Sequence, residues 1–113
     1  MVDRRALVIG SWLSKEKSQI SNQKVISVTK HWTKIFESES FGYKSITDKS
    51  KLPTPIHNPT LTDLTSQFEQ AAEFTSDTEL LVYYLGDSTP YGPDDIELTI
   101  GEKSDGERRT ITF

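Results

Sequence analysis

The sequence predicts an α/β protein: three mostly parallel strands joined by two crossover helices, followed by a C-terminal β-hairpin. Three observations carry this. Short continuous apolar runs at 5–12 and 80–85 suit strands buried on both faces. Two segments between them repeat apolar residues at helical spacing. The C-terminal segments 95–100 and 108–113 alternate with period two. Strands alternating with helices imply parallel pairing through right-handed crossovers.

The elements follow in order. Arg5-Ala-Leu-Val-Ile-Gly-Ser-Trp12 opens as a buried strand, and 13–20 read as a polar loop. Ser21 is an N-cap. From there Val25, Val28, Trp32, Ile35 and Phe36 form one stripe to about Ser38, with Trp32 on the apolar side. Gly42 suits the C-terminal turn of that helix. Residues 43–47 form a weaker strand, and 49–59, with three prolines, a loop. Thr60 with Asp63 is a capping-box variant opening a second helix. Its apolar face is Leu61, Leu64, Phe68, Ala71 and Ala72, ending near Phe74. Leu80 to Leu85 is the third strand, running into Gly86-Asp87-Ser88. Ser104-Asp105-Gly106 is the hairpin turn.

Composition bounds the function. The 113 residues make a single domain, 1–113, with a modest core. No cysteine is present, which excludes disulfides, thiolate metal sites and a cysteine nucleophile. No signal peptide and no membrane span are expected, and a cytoplasmic location fits. Net charge is −4 but uneven: +5 over 1–51 and −9 over 52–113. Two differently charged solvated faces explain this, and no nucleic-acid partner is expected, because the lysines do not cluster with interleaved aromatics on one face.

The order and spacing of several motifs resemble the caspase and metacaspase superfamily of cysteine peptidases, specifically the large-subunit half of its domain. Arg5-Ala-Leu-Val-Ile-Gly10 is similar to that family's first strand. Phe41-Gly42-Tyr43 resembles the passage from its first helix to its second strand. Asn58-Pro59-Thr60-Leu61 is similar to the start of its second helix, and Asp77 to Gly86 resembles its third strand. The resemblance implies a caspase-like, flavodoxin-like Rossmannoid half-domain, with the fourth strand and the cysteine-bearing segment absent. It also implies a setting in bacterial conflict or signalling systems.

The departures decide the chemistry. In the family the third strand ends in Gly-His-Gly, whose histidine assists the cysteine; here the same place reads Gly86-Asp87-Ser88. An aspartate, with an ordinary pKa of about 3.9, is a far weaker base at pH 7. Asp87 is thus a degenerate catalytic position, and no catalytic residue is expected. Gly86-Asp87-Ser88-Thr89 also resembles the nucleophile block of GDSL-type esterases. The only histidines, His31 and His57, lie upstream, and a serine without a base is a poor nucleophile. His31 reads as a helix-edge residue and His57 as a loop residue. Asp94 and Asp95, with Asp87 and Glu97, form an acidic cluster whose spacing matches no regular calcium loop. No metal and no cofactor are therefore expected.

The third strand is the remaining clue. By analogy with caspases it lies at a sheet edge, yet 80–85 lack the charges and prolines that guard a free edge. Only 25 residues follow Ser88, and they end on Ile111-Thr112-Phe113. The expectation is a non-catalytic pseudo-protease or recognition module that pairs with a protein partner or a second copy through Leu81, Tyr83, Asp87 and Ser88. The alternatives are a caspase-type endopeptidase completed by a cysteine-bearing partner chain, and a flavodoxin-like nucleotide-binding domain.

Overall fold

The computed structural model describes residues 2–13, 21–86, 88–90, 96–103 and 108–112. The chain runs β1 (Asp3–Gly10), α1 (Asn22–Glu37), β2 (Lys44–Ser45), β3 (Ile56–His57), α2 (Leu61–Ala71), β4 (Thr78–Leu85), β5 (Ser88–Pro90), β6 (Ile96–Glu102) and β7 (Arg108–Thr112). The expected α/β architecture is present, with a parallel sheet, two helices and a separate antiparallel sheet.

In the parallel sheet β1 is central. All eight of its residues pair with β4, from Asp3 opposite Thr78 to Gly10 opposite Leu85. Its other edge is shared: β2 pairs with Arg5 and Ala6, and β3 with Ile9 and Gly10. The strand β3 falls inside the segment 49–59, which the sequence reads as a loop. Two residues flanked by prolines are too few for periodicity to reveal. They are held by pairing with β1 and by Asn58 N donating to Gly10 O at 2.9 Å. The second sheet is β5–β6–β7, antiparallel, with a register irregularity between Thr99 and Gly101.

Each helix forms for local reasons and then buries one face. The Ser21 hydroxyl caps α1 by accepting from Lys24 N at 3.2 Å. The buried threonines of α1 satisfy their hydroxyls on the helix itself, Thr29 on Val25 O at 2.8 Å and Thr33 on Thr29 O at 2.7 Å. Gly42, at φ +68°, supplies the left-handed backbone as the chain leaves this helix, as the sequence predicts. Thr60 and Asp63 form a complete capping box at α2.

The two helices cover opposite faces of the sheet. Gly10 packs beneath α1, where a Cβ would lie 2.7 Å from Val25 Cγ1 and 2.9 Å from the His57 ring. The other face carries the main apolar cluster, Leu7, Ile9, Ile46, Leu64 and Ile100, with Phe68, Phe74 and Ile111 against it. Leu64 is fully buried, a contribution of about 1.5–3 kcal/mol. Arg5 is buried at the start of β1. It bonds Asp3 at 2.9 Å and Ser45 O at 3.1 Å, and its guanidinium lies 4.9 Å from the Phe74 ring centroid. No described helix is long and apolar enough to cross a membrane.

Candidate functional site

The connections out of β1 and β4 make the carboxyl ends of these neighbouring strands a switch point. The chain leaves β1 through α1 toward β2, and reaches β4 through α2 on the opposite face. Open α/β sheets hold their ligands in such crevices. Here the crevice is filled by the chain itself. Ser11, fully buried just past β1, donates its hydroxyl to the Thr99 carbonyl of β6. The Tyr84 hydroxyl donates to the same carbonyl at 2.5 Å and lies 3.2 Å from Ser11 Oγ.

Gly86 closes against this group: a Cβ there would collide with Ser11 Oγ and lie 2.5 Å from the Tyr84 hydroxyl. Its glycine is required by close approach rather than by turn geometry. Arg109 of β7 fastens the hairpin, donating to Pro59 O and Asn58 O, both at 3.0 Å.

Beside this plug, at the end of β3, His57 is half-buried. The single Thr29 hydroxyl proton is engaged with Val25 O, so the Thr29 oxygen accepts from His57 Nε2–H at 3.0 Å. The imidazole packs against Trp12, with ring centroids 5.5 Å apart. Burial lowers the His57 pKa from its ordinary 6.5. His57 is therefore a structural residue of the sheet, not the loop histidine expected from the sequence. Asn58 adopts φ 47°, and its Oδ1 accepts from Trp12 N at 2.9 Å. His31 is exposed on α1 with its ring edge toward Trp32.

The predicted site residues are dispersed. Gly86 is half-buried at the plug. Asp87, Asp94 and Asp95 lie outside the described residues. Ser88 opens β5 opposite Leu98, and its side chain is outside them as well. Among the described residues no cluster of three or more His, Cys, Asp or Glu could hold a metal. Leu81 and Tyr83 are half-buried on the α1 face, where Tyr83 stacks on Trp32 and packs at a tilt against Phe36, each with ring centroids 5.9 Å apart.

The exposed apolar residues of β4 are their neighbours. Leu80 and Val82 are each 40% exposed, on the α2 face and opposite Arg5 and Leu7. Among the described residues, β4 pairs only with β1. In a parallel ladder, successive residues turn both backbone groups to alternate sides. Ser11 N donates to Leu85 O and Asp3 N to Asp77 O. That alternation turns the odd residues of β4 toward β1, and the N–H and C=O groups of Leu80 and Val82 toward the open edge. Trp32, 39% exposed, overhangs this edge from α1; the sequence places it on the apolar side but not at a rim.

A cleft of about 240 Å³ lies at the opposite margin, where β2 and β3 meet different ends of β1. It is lined by Ala6, Leu7, Ile46, Leu52, Ile56 and Gln67, among others. Two of its hydroxyls, Ser45 and Thr47, bond each other at 3.1 Å rather than converging on the space. No family model, curated protein or solved structure matches this chain.

Proposed function

We propose that this protein is a non-catalytic recognition module that works by adding an incoming β-strand to the free edge of β4. The observation that carries the reading is that edge. An eight-residue strand pairs on one side only among the described residues, and its outward-facing residues Leu80 and Val82 are apolar and exposed. Natural edges are blunted with lysine, proline or bulges, and β4 has none of these between Leu80 and Leu85. Strand addition satisfies the open backbone groups and gives side-chain pockets on both faces.

The plugged switch point supports the non-catalytic half of the reading. Among the described residues, the Ser11 and Tyr84 hydroxyls at the carboxyl ends of β1 and β4 are both spent on a carbonyl of β6. The reading keeps the plan of the caspase-like large-subunit half as its frame. In that frame a partner's strand, or that of a second copy, takes the place beside β4 where the family's own sheet continues.

Val82→Pro tests this. Proline removes an N–H that faces the open edge rather than β1, so the fold should tolerate it with a cost of about 1 kcal/mol or less. Association, read by sedimentation velocity and by affinity capture, should fall at least tenfold. Capture of the same partner with unchanged affinity by a folded Val82→Pro protein would refute the edge as the docking site.

A further inference from the structure

The two short strands on the second edge of β1 stop on either side of one buried N–H. In a parallel ladder each residue turns both backbone groups to one side, and neighbours alternate. Ser11 N donates to Leu85 O and Asp3 N to Asp77 O, so the odd residues of β1 face β4 and the even ones face β2 and β3. Ala6 is met by β2 and Gly10 by β3, and Val8 falls between them. The register of Ile9 opposite Ile56 gives the Val8 carbonyl the Ile56 N–H. The N–H of Val8 would need the carbonyl of Ile46 or Thr54, but β2 ends at Ser45 and β3 begins at Ile56. Ile46 O is turned to Arg5 instead, accepting from its Nη1 at 3.4 Å. Val8 is buried, and its N–H is left without a partner among the described residues. Such groups are rare in folded proteins and call for an acceptor.

The cleft of about 240 Å³ surrounds this point. Leu7, whose peptide unit carries the N–H, and Ile46 and Thr54, which flank it, all line the space. Its apolar part is Leu7, Ile46 and Ile56, all belonging to or packed on the main apolar cluster. Gln67 of α2 lines it too, half-buried and without a hydrogen bond among the described residues. Lys51 lines it as an exposed side chain, its ammonium 4.0 Å from Asp48. If Lys51 turned to a ligand, Asp48 would keep its two hydrogen bonds from Ser50. The polar groups free to act are therefore mainly donors: the Val8 N–H, the Gln67 amide, the Thr54 hydroxyl and the Lys51 ammonium.

We infer that this cleft binds a small aliphatic carboxylate. One carboxylate oxygen accepts from the Val8 N–H, Lys51 balances the charge, and the apolar body lies against Leu7, Ile46 and Ile56. The two-residue pairings on either side need part only slightly to admit it. An apolar cavity of about 150 Å³ takes benzene, so a space of about 240 Å³ takes a molecule of about eight to ten heavy atoms. A carboxylate with a short alkyl chain has that size. The site lies at the margin opposite β4 and does not rest on strand addition there.

The test is a titration of the nitrogen-15-labelled protein with millimolar hexanoate, hexanamide and hexylammonium, followed by NMR. In the free protein the Val8 amide should exchange with solvent faster than those of Leu7 and Ile9, which are bonded to β4. Hexanoate should move the Val8 amide proton downfield and slow its exchange at least tenfold. It should bind at least fivefold tighter than hexanamide, and hexylammonium should not bind. Lys51→Glu, at an exposed position, should erase the advantage of hexanoate over hexanamide. Leu52→Trp, also at an exposed position on the cleft, should block both ligands while leaving the spectrum dispersed. Val82→Pro should leave hexanoate binding unchanged.

Equal binding of hexanoate and hexanamide at Val8 would overturn the carboxylate as the ligand class. Hexanoate shifts confined to other residues, with Val8 unmoved, would overturn the site. No binding by any of the three would overturn the proposal and make water the partner of the Val8 N–H. None of these results bears on the β4 edge, which Val82→Pro tests separately.

Discussion

The Thr99 carbonyl, with two hydroxyls converging on it, makes a quantitative prediction. Tyr84→Phe removes one donor and Ser11→Ala the other, and both changes nearly preserve shape. After either single substitution the remaining hydroxyl still reaches the carbonyl, so each should cost about 1 kcal/mol, the net value of a hydrogen bond. The double variant strips both donors from a carbonyl on a buried residue. It should lose the two bonds and, in addition, about 1–3 kcal/mol for an acceptor kept from water, roughly 3–5 kcal/mol in all. The coupling of about 1–3 kcal/mol is read from a double-mutant cycle by guanidinium denaturation, with m-values held equal across the four proteins. Each single variant should lower Tm by about 3–6 °C. Double-variant losses that equal the sum of the singles to within about 0.5 kcal/mol would show that the two hydroxyls do not share this carbonyl.

Two further outcomes follow from the same end of the sheet. Burial lowers the His57 pKa, so the unfolded chain takes up this proton before the folded one does. Its effect on stability should be absent above pH 6.5, grow as pH falls below 6.5, and level off below the folded-state pKa. His57→Gln should flatten that part of a denaturation-against-pH curve; an unchanged slope would assign the dependence to other groups. Asn58→Ala combines an alanine forced to φ 47° with loss of the acceptor for Trp12 N, about 2–3 kcal/mol together. Asn58→Gly keeps only the second loss and should be milder by about 1 kcal/mol, as chemical denaturation would show.

The sequence was most legible where local chemistry is strong. Ser21, Thr60 with Asp63, and Gly42 mark the helix boundaries because caps depend on residues three or four apart, and the structure uses each of them. The long strands β1 and β4 were legible from their uninterrupted apolar runs. The short strand β3 was not, because Ile56 and His57 become a strand only through Ile9 and Gly10, far away in the chain.

The outer edge of β4 was legible as an edge, but not by face. With 80–85 all apolar, no polar alternation distinguishes Leu81 and Tyr83, covered by α1, from Leu80 and Val82, left bare. The plug at the switch point was beyond sequence reading altogether. Ser11, Tyr84 and Thr99 are ordinary polar residues until tertiary structure brings 11 and 99 together.

The pairing of β1 with β4 also sets a schedule. Partner residues in these strands are 75 positions apart, as in Asp3 opposite Thr78. At a synthesis rate of about 5–20 residues per second, β1 leaves the ribosome roughly 4–15 s before its full-length neighbour exists. Until then its strand partners are β2 and β3 alone among the described residues, over two residues each. An apolar strand thus precedes its main strand partner by most of the chain's length. Chaperone capture of nascent chains should therefore be strongest before β4 emerges and should fall away once it does.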